Sequence, residues 1–325
     1  MLYPFVFEPI LKERIWGGRR LAALYDKPLP ADVPVGESWE ISDRPGDVTV
    51  ISNGPLRGRT LRWLMEHHGA ELLGATPPAG DGRFPLLCKL LDARDRLSLQ
   101  VHPPATMAAA LHGEPKTEMW YIADAEPGAE LFVGLRAGTT RAEFEAKVRS
   151  GEVAQCFHRI AVEPGDTMFL PSGRVHAIGA GLVIFEIQQN SDTTYRVFDW
   201  NRTDRDGQPR ELHLEQSLAS IDFADFEPAL VSSPWVARDR FESRALVRHE
   251  LFSVDLLRAR QAATLALGGG PVRVVACVDG ELTLSGGELT VTLQAGQFAL
   301  VPASLPATAL DVASSATTLL VQGGA

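Results

Sequence analysis

The sequence predicts a mainly β protein, a sandwich or barrel with a small helical insertion, followed by a second β unit. Three observations carry this. First, short β-branched or alternating runs recur between Gly, Pro and Asp turns: "VTVIS", "RLSLQVH", "MWYIAD", "ELFVGL", "CFHRIAV", "DTMFLP", "LVIFEIQQ" and "TTYRVFDW". Second, helical spacing is confined to a few stretches. Third, past Pro228 the chain becomes strands and tight turns with almost no polar side chains suited to chemistry. We therefore place a first domain at 1–231 and a second, β-only domain at 232–325.

The helices are read in order. Residues 60–74 carry apolar positions at helical spacing and stop at Gly74. Residues 105–113 form a short helix. Residues 139–151 hold an N-cap threonine, a glutamate three positions after Thr140 and a terminal glycine. Residues 211–223 make one more. Many strands with few helices argue for sheet packed on sheet.

Composition bounds the function. Of 325 residues, 45% are hydrophobic and 22% charged, enough for a large core. The formal charge of −10 gives no electrostatic case for nucleic acid or an anionic membrane. No apolar run approaches the roughly 18 residues needed to span a bilayer, and the N-terminal stretch lacks the pattern of a secretory leader. Cys88, Cys156 and Cys277 sit apart in apolar runs and read as buried small hydrophobes. We expect a soluble, cytoplasmic protein.

An internal repeat appears at 165–176 and 296–307. "GDTMFLPSGRVH" and "GQFALVPASLPA" align Gly165 with Gly296, Pro171 with Pro302, Gly173 with Ser304 and His176 with Ala307, each 131 positions apart. The first copy ends in histidine and the second in alanine. If that position holds a ligand, only the first unit has a site.

Four residues stand out as metal ligands. In "RLSLQVHPP", Leu97, Leu99 and Val101 point one way, and Ser98, Gln100 and His102 the other. Glu118 opens "EMWYIAD", and His176 follows the "PSG" turn. Two imidazoles, a carboxylate and an amide oxygen suit a borderline divalent metal such as zinc. His67, His68, His112, His158, His213 and His249 lack such a context and read as surface or hydrogen-bonded residues.

"GDTMFLPSGRVH" resembles the second motif of the cupin β-barrels. "LSLQVHPP" with "KTEMWYIAD" resembles the first cupin motif as it occurs in type I mannose-6-phosphate isomerases. The match continues through "KERIWGGRRL", "VGESWEIS", "FPLLCKLLDARDRLSLQVHPP" and "FEIQQNSDTTYRVFDWNR". The chain is similar to the short bacterial branch, which lacks most of the helical insertion. The resemblance covers residues 1–221 and leaves the last third as a degenerate cupin unit.

This resemblance implies an isomerase that interconverts mannose 6-phosphate and fructose 6-phosphate through an enediol. It implies one zinc ion per chain on Gln100, His102, Glu118 and His176, with Ser98 beside the substrate. Lys89, Lys116 and Arg196 are the candidate cations for the developing oxyanion and the phosphate. Lys116, two residues before Glu118, shares its face if the strand starts that early. An arginine at Arg196 borders the active site in the family, and an acid at Asp192 would assist ring opening. Glu186, between Phe185 and Ile187, reads as a pocket residue because an unpaired buried charge is costly. Trp16 is a candidate pocket wall. Pro115 departs from the longer enzymes, which have a histidine before the pocket lysine. The rival reading is a metal-binding cupin that is not an isomerase, either an iron oxygenase or a sugar-binding or regulatory paralogue. The expected partner is a small sugar phosphate, with no nucleic acid or membrane, and a monomer or weak dimer.

Overall fold

Strand alternation decides which side of each sheet faces ligand and which faces a covering layer. The structure, a computed structural model, describes residues 2–203 and 207–324. Its first part holds two antiparallel sheets. The six-stranded sheet runs Thr167–Leu170, Glu118–Ala125, Leu182–Gln189, Leu86–Ala93, Ile10–Gly18, Val35–Ile41, with the last strand also paired to Leu86–Ala93. The five-stranded sheet runs Phe157–Ala161, Glu130–Leu135, His176–Ile178, Leu99–Val101, Tyr195–Phe198.

The two sheets face each other across a shared apolar layer. Leu91, Trp120, Ile122 and Ile184 of the first meet Leu131, Val133 and Ile178 of the second. The opposite face of the five-stranded sheet presents Leu99, Val101, Tyr195 and Val197 to a cluster containing Phe144 and Val153. Phe144 comes from the helix Arg141–Ser150, which is capped by the Thr140 hydroxyl accepting from the Glu143 N–H at 3.1 Å and closed by Gly151 at φ 76°.

The outer face of the six-stranded sheet is covered by the second part of the chain. Cys88, Leu90, Met119, Tyr121, Phe185 and Ile187 join Leu246, Val254, Leu256, Val274 and Leu300 in one core. This explains why "PLLCKLLDA" reads as a continuous apolar run: both faces of that strand are covered. The N-terminal segment fastens the two parts, since Phe5 and Leu300 exchange both backbone hydrogen bonds at 2.8 Å. Beyond Val236 lies a nine-stranded antiparallel assembly with its own apolar cluster of Leu257, Val275, Leu284, Leu293 and Leu310.

The repeat is visible in the backbone. Thr167–Leu170 and Phe298–Val301 are strands at the aligned positions, each entered through a glycine at positive φ, 97° at Gly165 and 79° at Gly296.

Several expected elements differ in extent. The strand expected through "RLSLQVH" is Leu99–Val101 only, because Pro103 and Pro104 cannot continue the ladder. The 211–223 helix is Leu214–Ser220 and the 105–113 helix is Ala105–Ala108. The helix Arg20–Tyr25 was not anticipated; its single buried side chain, Leu21, leaves too little periodicity to read. Among the described residues, no helix is long and apolar enough to cross a membrane.

Phe185 is fully buried, with its ring 5.5 Å from that of Phe298 in the second part. We expect Phe185→Ala to cost about 3–5 kcal/mol. The loss should appear as a lower urea midpoint. A midpoint within error of wild type would show that this contact does not join the two parts.

Candidate metal centre and active site

The inward faces of both sheets converge on one cavity of about 390 Å3. Its lining includes Trp16, Lys89, Ser98, Gln100, Lys116, Trp120, Glu186, Asp192 and Arg196. Two other hollows of about 540 and 580 Å3 lie elsewhere. All three fall within the usual range of small-molecule sites, so volume does not choose between them. The buried ionisable groups do.

Register builds the cavity floor. Gln100 is paired with His176 on one neighbouring strand and with Arg196 on the other. His102 lies two residues beyond Gln100 and just past the strand end, pointing to the same side. Glu118 starts the facing strand, where it pairs with Leu170 and Gln188. The ligand atoms of His102, Glu118 and His176 all lie within 4.8 Å of one another, and all three residues are buried.

The tautomers are fixed by backbone carbonyls. His102 Nδ1 donates to Thr193 O at 2.7 Å, and His176 Nδ1 donates to Arg174 O at 2.9 Å. Each Nε2 therefore turns a lone pair inward, the arrangement that second-layer partners impose on metal-binding histidines. Those lone pairs face a carboxylate: His102 Nε2 is 3.7 Å from Glu118 Oε2, and His176 Nε2 is 3.4 Å from Glu118 Oε1. Acceptors opposed to acceptors in a dry site repel unless a cation lies between them. His102 Nε2 and Glu118 Oε1 are buried without a hydrogen-bond partner. The Gln100 amide donates to His176 Nε2 at 3.3 Å, and turning the amide over presents its oxygen at that place. The donor set fits a divalent metal ion.

Titration agrees with this geometry. Burial lowers the His102 imidazole well below its ordinary range, with Lys116 and His176 adding to the effect. Burial lowers His176 to about 3. Burial pushes the Glu118 carboxyl up to about 7, against the pull of Lys116.

The remaining charges alternate along the cavity. Arg14 Nε donates to Glu37 at 2.9 Å. Lys89 Nζ lies 3.1 Å from Glu186, and Lys116 Nζ lies 3.0 Å from Glu118. Trp120 Nε1 donates to Glu186 at 2.9 Å, and Trp39 Nε1 donates to Glu37 at 2.6 Å. Burial alone would raise the Glu186 and Glu37 carboxyls, but Lys89 outweighs it with help from Lys116 at one and Arg14 at the other. Both end below the ordinary range, Glu37 at about 2. Burial likewise disfavours the Lys116 ammonium, and Glu118 and Glu186 more than reverse this.

The structure brings all eleven residues singled out from the sequence to one region. Eight line the cavity. His102, Glu118 and His176 form the candidate metal cluster at its floor, beside Gln100. Asp192 is exposed at the rim, whereas Glu186 and Lys89 are deeply buried. Lys116 stands before its strand, which opens only at Glu118; its N–H donates to Ser172 Oγ at 3.1 Å instead of joining the ladder. Its ammonium still reaches the expected side.

Sequence reasoning did not single out Arg14, Glu37, Trp120 and Arg210, which also line the cavity. Arg14 stands two residues before Trp16, and Glu37 two before Trp39, so alternation could have found both. Arg210 lies outside any named helix or strand, where no periodicity points to it.

Comparison with known proteins places this arrangement in a family. The family model described as phosphomannose isomerase type I, catalytic domain, matches residues 5–146. The chain is 38% identical over 308 residues to the mannose-6-phosphate isomerase ManA of Bacillus subtilis, covering 93% of this chain and 94% of that one. It is 38% identical over 255 residues to the mannose-6-phosphate isomerase of Streptococcus mutans, covering 78% of each. The crystal structure of the mannose 6-phosphate isomerase from Bacillus subtilis superposes with a TM-score of 0.89 at 32% identity, over 98% of this chain and 99% of that one. The fold is thus mainly β and cupin-like, and by sequence and structure alike the chain belongs to the type I phosphomannose isomerases.

Proposed function

We propose that the protein is a metal-dependent aldose–ketose isomerase that interconverts mannose 6-phosphate and fructose 6-phosphate, with one zinc ion on Gln100, His102, Glu118 and His176. The observation that carries this reading is the opposition of two imidazole lone pairs to the Glu118 carboxylate at the floor of a cation-lined cavity. Membership of the type I family supplies the reaction. Zinc is favoured over harder ions by the two imidazole donors.

A bound zinc ion supplies positive charge that orients the sugar oxygens and opposes negative charge building on them. The chain's own groups do the rest. The Lys116 ammonium, kept charged by Glu118 and Glu186, donates to the oxygen that gains charge as the C1/C2 proton moves. Arg196, beside Gln100 in the sheet, holds a negatively charged group of the substrate. Asp192, at the rim, exchanges a proton with the sugar during ring opening. Lys89, Ser98 and Glu186 hold the sugar hydroxyls, and Trp16 walls the cavity against water.

Residues 1–231 form the catalytic unit and 232–325 a supporting one. This division rests on the cavity lining, which runs from Arg14 to Arg210 and takes nothing from the second unit. The three cysteines are buried and unpaired, in keeping with a reducing, cytoplasmic setting. The partner in this reading is a small sugar phosphate, acted on by a monomer or weak dimer.

Chelation should abolish conversion of mannose 6-phosphate in a coupled assay, and zinc should restore it. Turnover that survives removal of all metal would overturn the metal-dependent reading. His102→Ala should lose bound zinc, as read by metal analysis. Lys116→Ala should lower kcat by about 100- to 1,000-fold while keeping zinc, the loss typical of one oxyanion partner.

Metal affinity should depend on pH through one proton. Glu118 binds metal only as the carboxylate, and its raised pKa of about 7 makes binding release a proton below that pH. Zinc affinity should therefore rise about tenfold per pH unit up to about 7 and then level off. The histidines add no slope there, because burial already keeps them neutral. A slope of two or three protons between about pH 5 and 7, measured by chelator competition, would assign that titration to the histidines instead.

A further inference from the structure

The cations deepest in the cavity are already neutralised. Lys89 is matched by Glu186, Lys116 by Glu118 and Arg14 by Glu37, each within 3.1 Å. A phosphate dianion placed there would have to displace buried carboxylates, at a large desolvation cost.

The region around Arg196 differs. Arg196 and Arg210 both line the cavity. Arg210 lays its guanidinium on Asp199 in a two-pronged contact, Nε donating to Oδ2 at 2.7 Å and Nη2 to Oδ1. Arg202 Nη2 donates to the same Oδ1 at 2.7 Å. Asp199 is 4% exposed and is the buried carboxylate shared by this pair. Among the described residues, Arg196 reaches no carboxylate through a hydrogen bond: its Nη1 donates to the Glu211 carbonyl at 2.7 Å, and its Nε is buried with no partner. Burial and the nearby Arg210 lower the Arg196 pKa, the sign of a cation short of an anion. Among the described residues, two guanidinium groups thus share one buried carboxylate, beside a third, that of Arg196, whose Nε is unpartnered.

We propose that Arg210, oriented by Asp199, joins Arg196 in gripping the phosphate of the substrate and sets the preference for the phosphorylated over the free sugar. This rests on the isomerase reading above. Two planar guanidinium groups match the oxygens of a phosphate dianion better than the point charges of lysines. Asp199 is a positioning residue, since it fixes the Arg210 plane and does not itself reach the ligand.

The test uses metal-loaded enzyme and inorganic phosphate as probe. Phosphate affinity is measured by titration calorimetry, and kcat and KM with mannose 6-phosphate, for wild type, Arg210→Gln, Arg210→Lys and Asp199→Asn. Zinc content and melting temperature identify variants that fold. Arg210→Gln should weaken phosphate binding by about tenfold to a hundredfold, the scale of lost charge-assisted hydrogen bonds, and raise KM in step with a smaller change in kcat. Arg210→Lys should recover only part, because it keeps charge but loses the fork. Asp199→Asn should raise KM and weaken phosphate with zinc retained, and a fall in melting temperature alone would remove its positioning role. If the folded Arg210 variants bind phosphate and substrate as wild type does, the proposal is overturned while the isomerase reading stands. If wild type binds phosphate through Arg210 but never converts mannose 6-phosphate, the isomerase reading falls and the anion site remains.

Discussion

The structure turns on one carboxylate. Glu118 is fully buried, faces two imidazole lone pairs and sits 3.0 Å from the Lys116 ammonium. An isolated charge in that position would be expelled or protonated. The barrel keeps it by arranging further charges in alternating sign, Lys116, Glu186, Lys89, Glu37 and Arg14, each braced by a neighbour or an indole N–H. Removing one member strands the next. Such a row stabilises the fold little on balance. What it provides is fixed positive and negative points around a metal position before any ligand enters, which is how electrostatic catalysis avoids reorganisation.

That row needs dry walls, and the second unit supplies one of them. The strands Leu86–Ala93, Glu118–Ala125 and Leu182–Gln189 each place one charged residue, Lys89, Glu118 or Glu186, on a largely apolar inward face and turn apolar residues outward. Their outward side chains would be exposed without the core that joins them to Leu246, Val254 and Leu300. The same packing holds the backbone register between Lys89 and Glu186, which are direct cross-strand partners. Burial on one face thus sets geometry on the other.

Much of this was legible in the sequence. The two-residue period of Ser98, Gln100 and His102 put three polar groups on one side of a strand, and the cavity lies there. Lys89 was harder. Its odd spacing from Gln100 places it on the opposite face if the two share a strand. They do not: they stand in facing sheets, and "DARD" carries the chain from one to the other. Parity is a local rule, and a turn resets it. The pairing of Lys89 with Glu186 was not legible, because register between distant strands is not written in either. Arg210 was invisible for a different reason, since residues outside regular elements carry no period at all.

The repeat shows what it takes to keep such a site. Both copies retain a glycine at positive φ leading into a strand, so the shared constraint is the backbone turn. The interiors have diverged. Around His176 the first copy holds charge and a cavity. The second has Ala307 at the matching place and fills its interior with Leu282, Leu284, Leu293, Leu310 and Val312. Replacing buried ions with well-packed aliphatic side chains is neutral or stabilising in general. A unit freed from binding a ligand would drift towards that composition, and a unit that must bind one cannot. The second unit's apolar interior and the first unit's buried charges are therefore two outcomes of one backbone, separated by whether a metal position has to be held open.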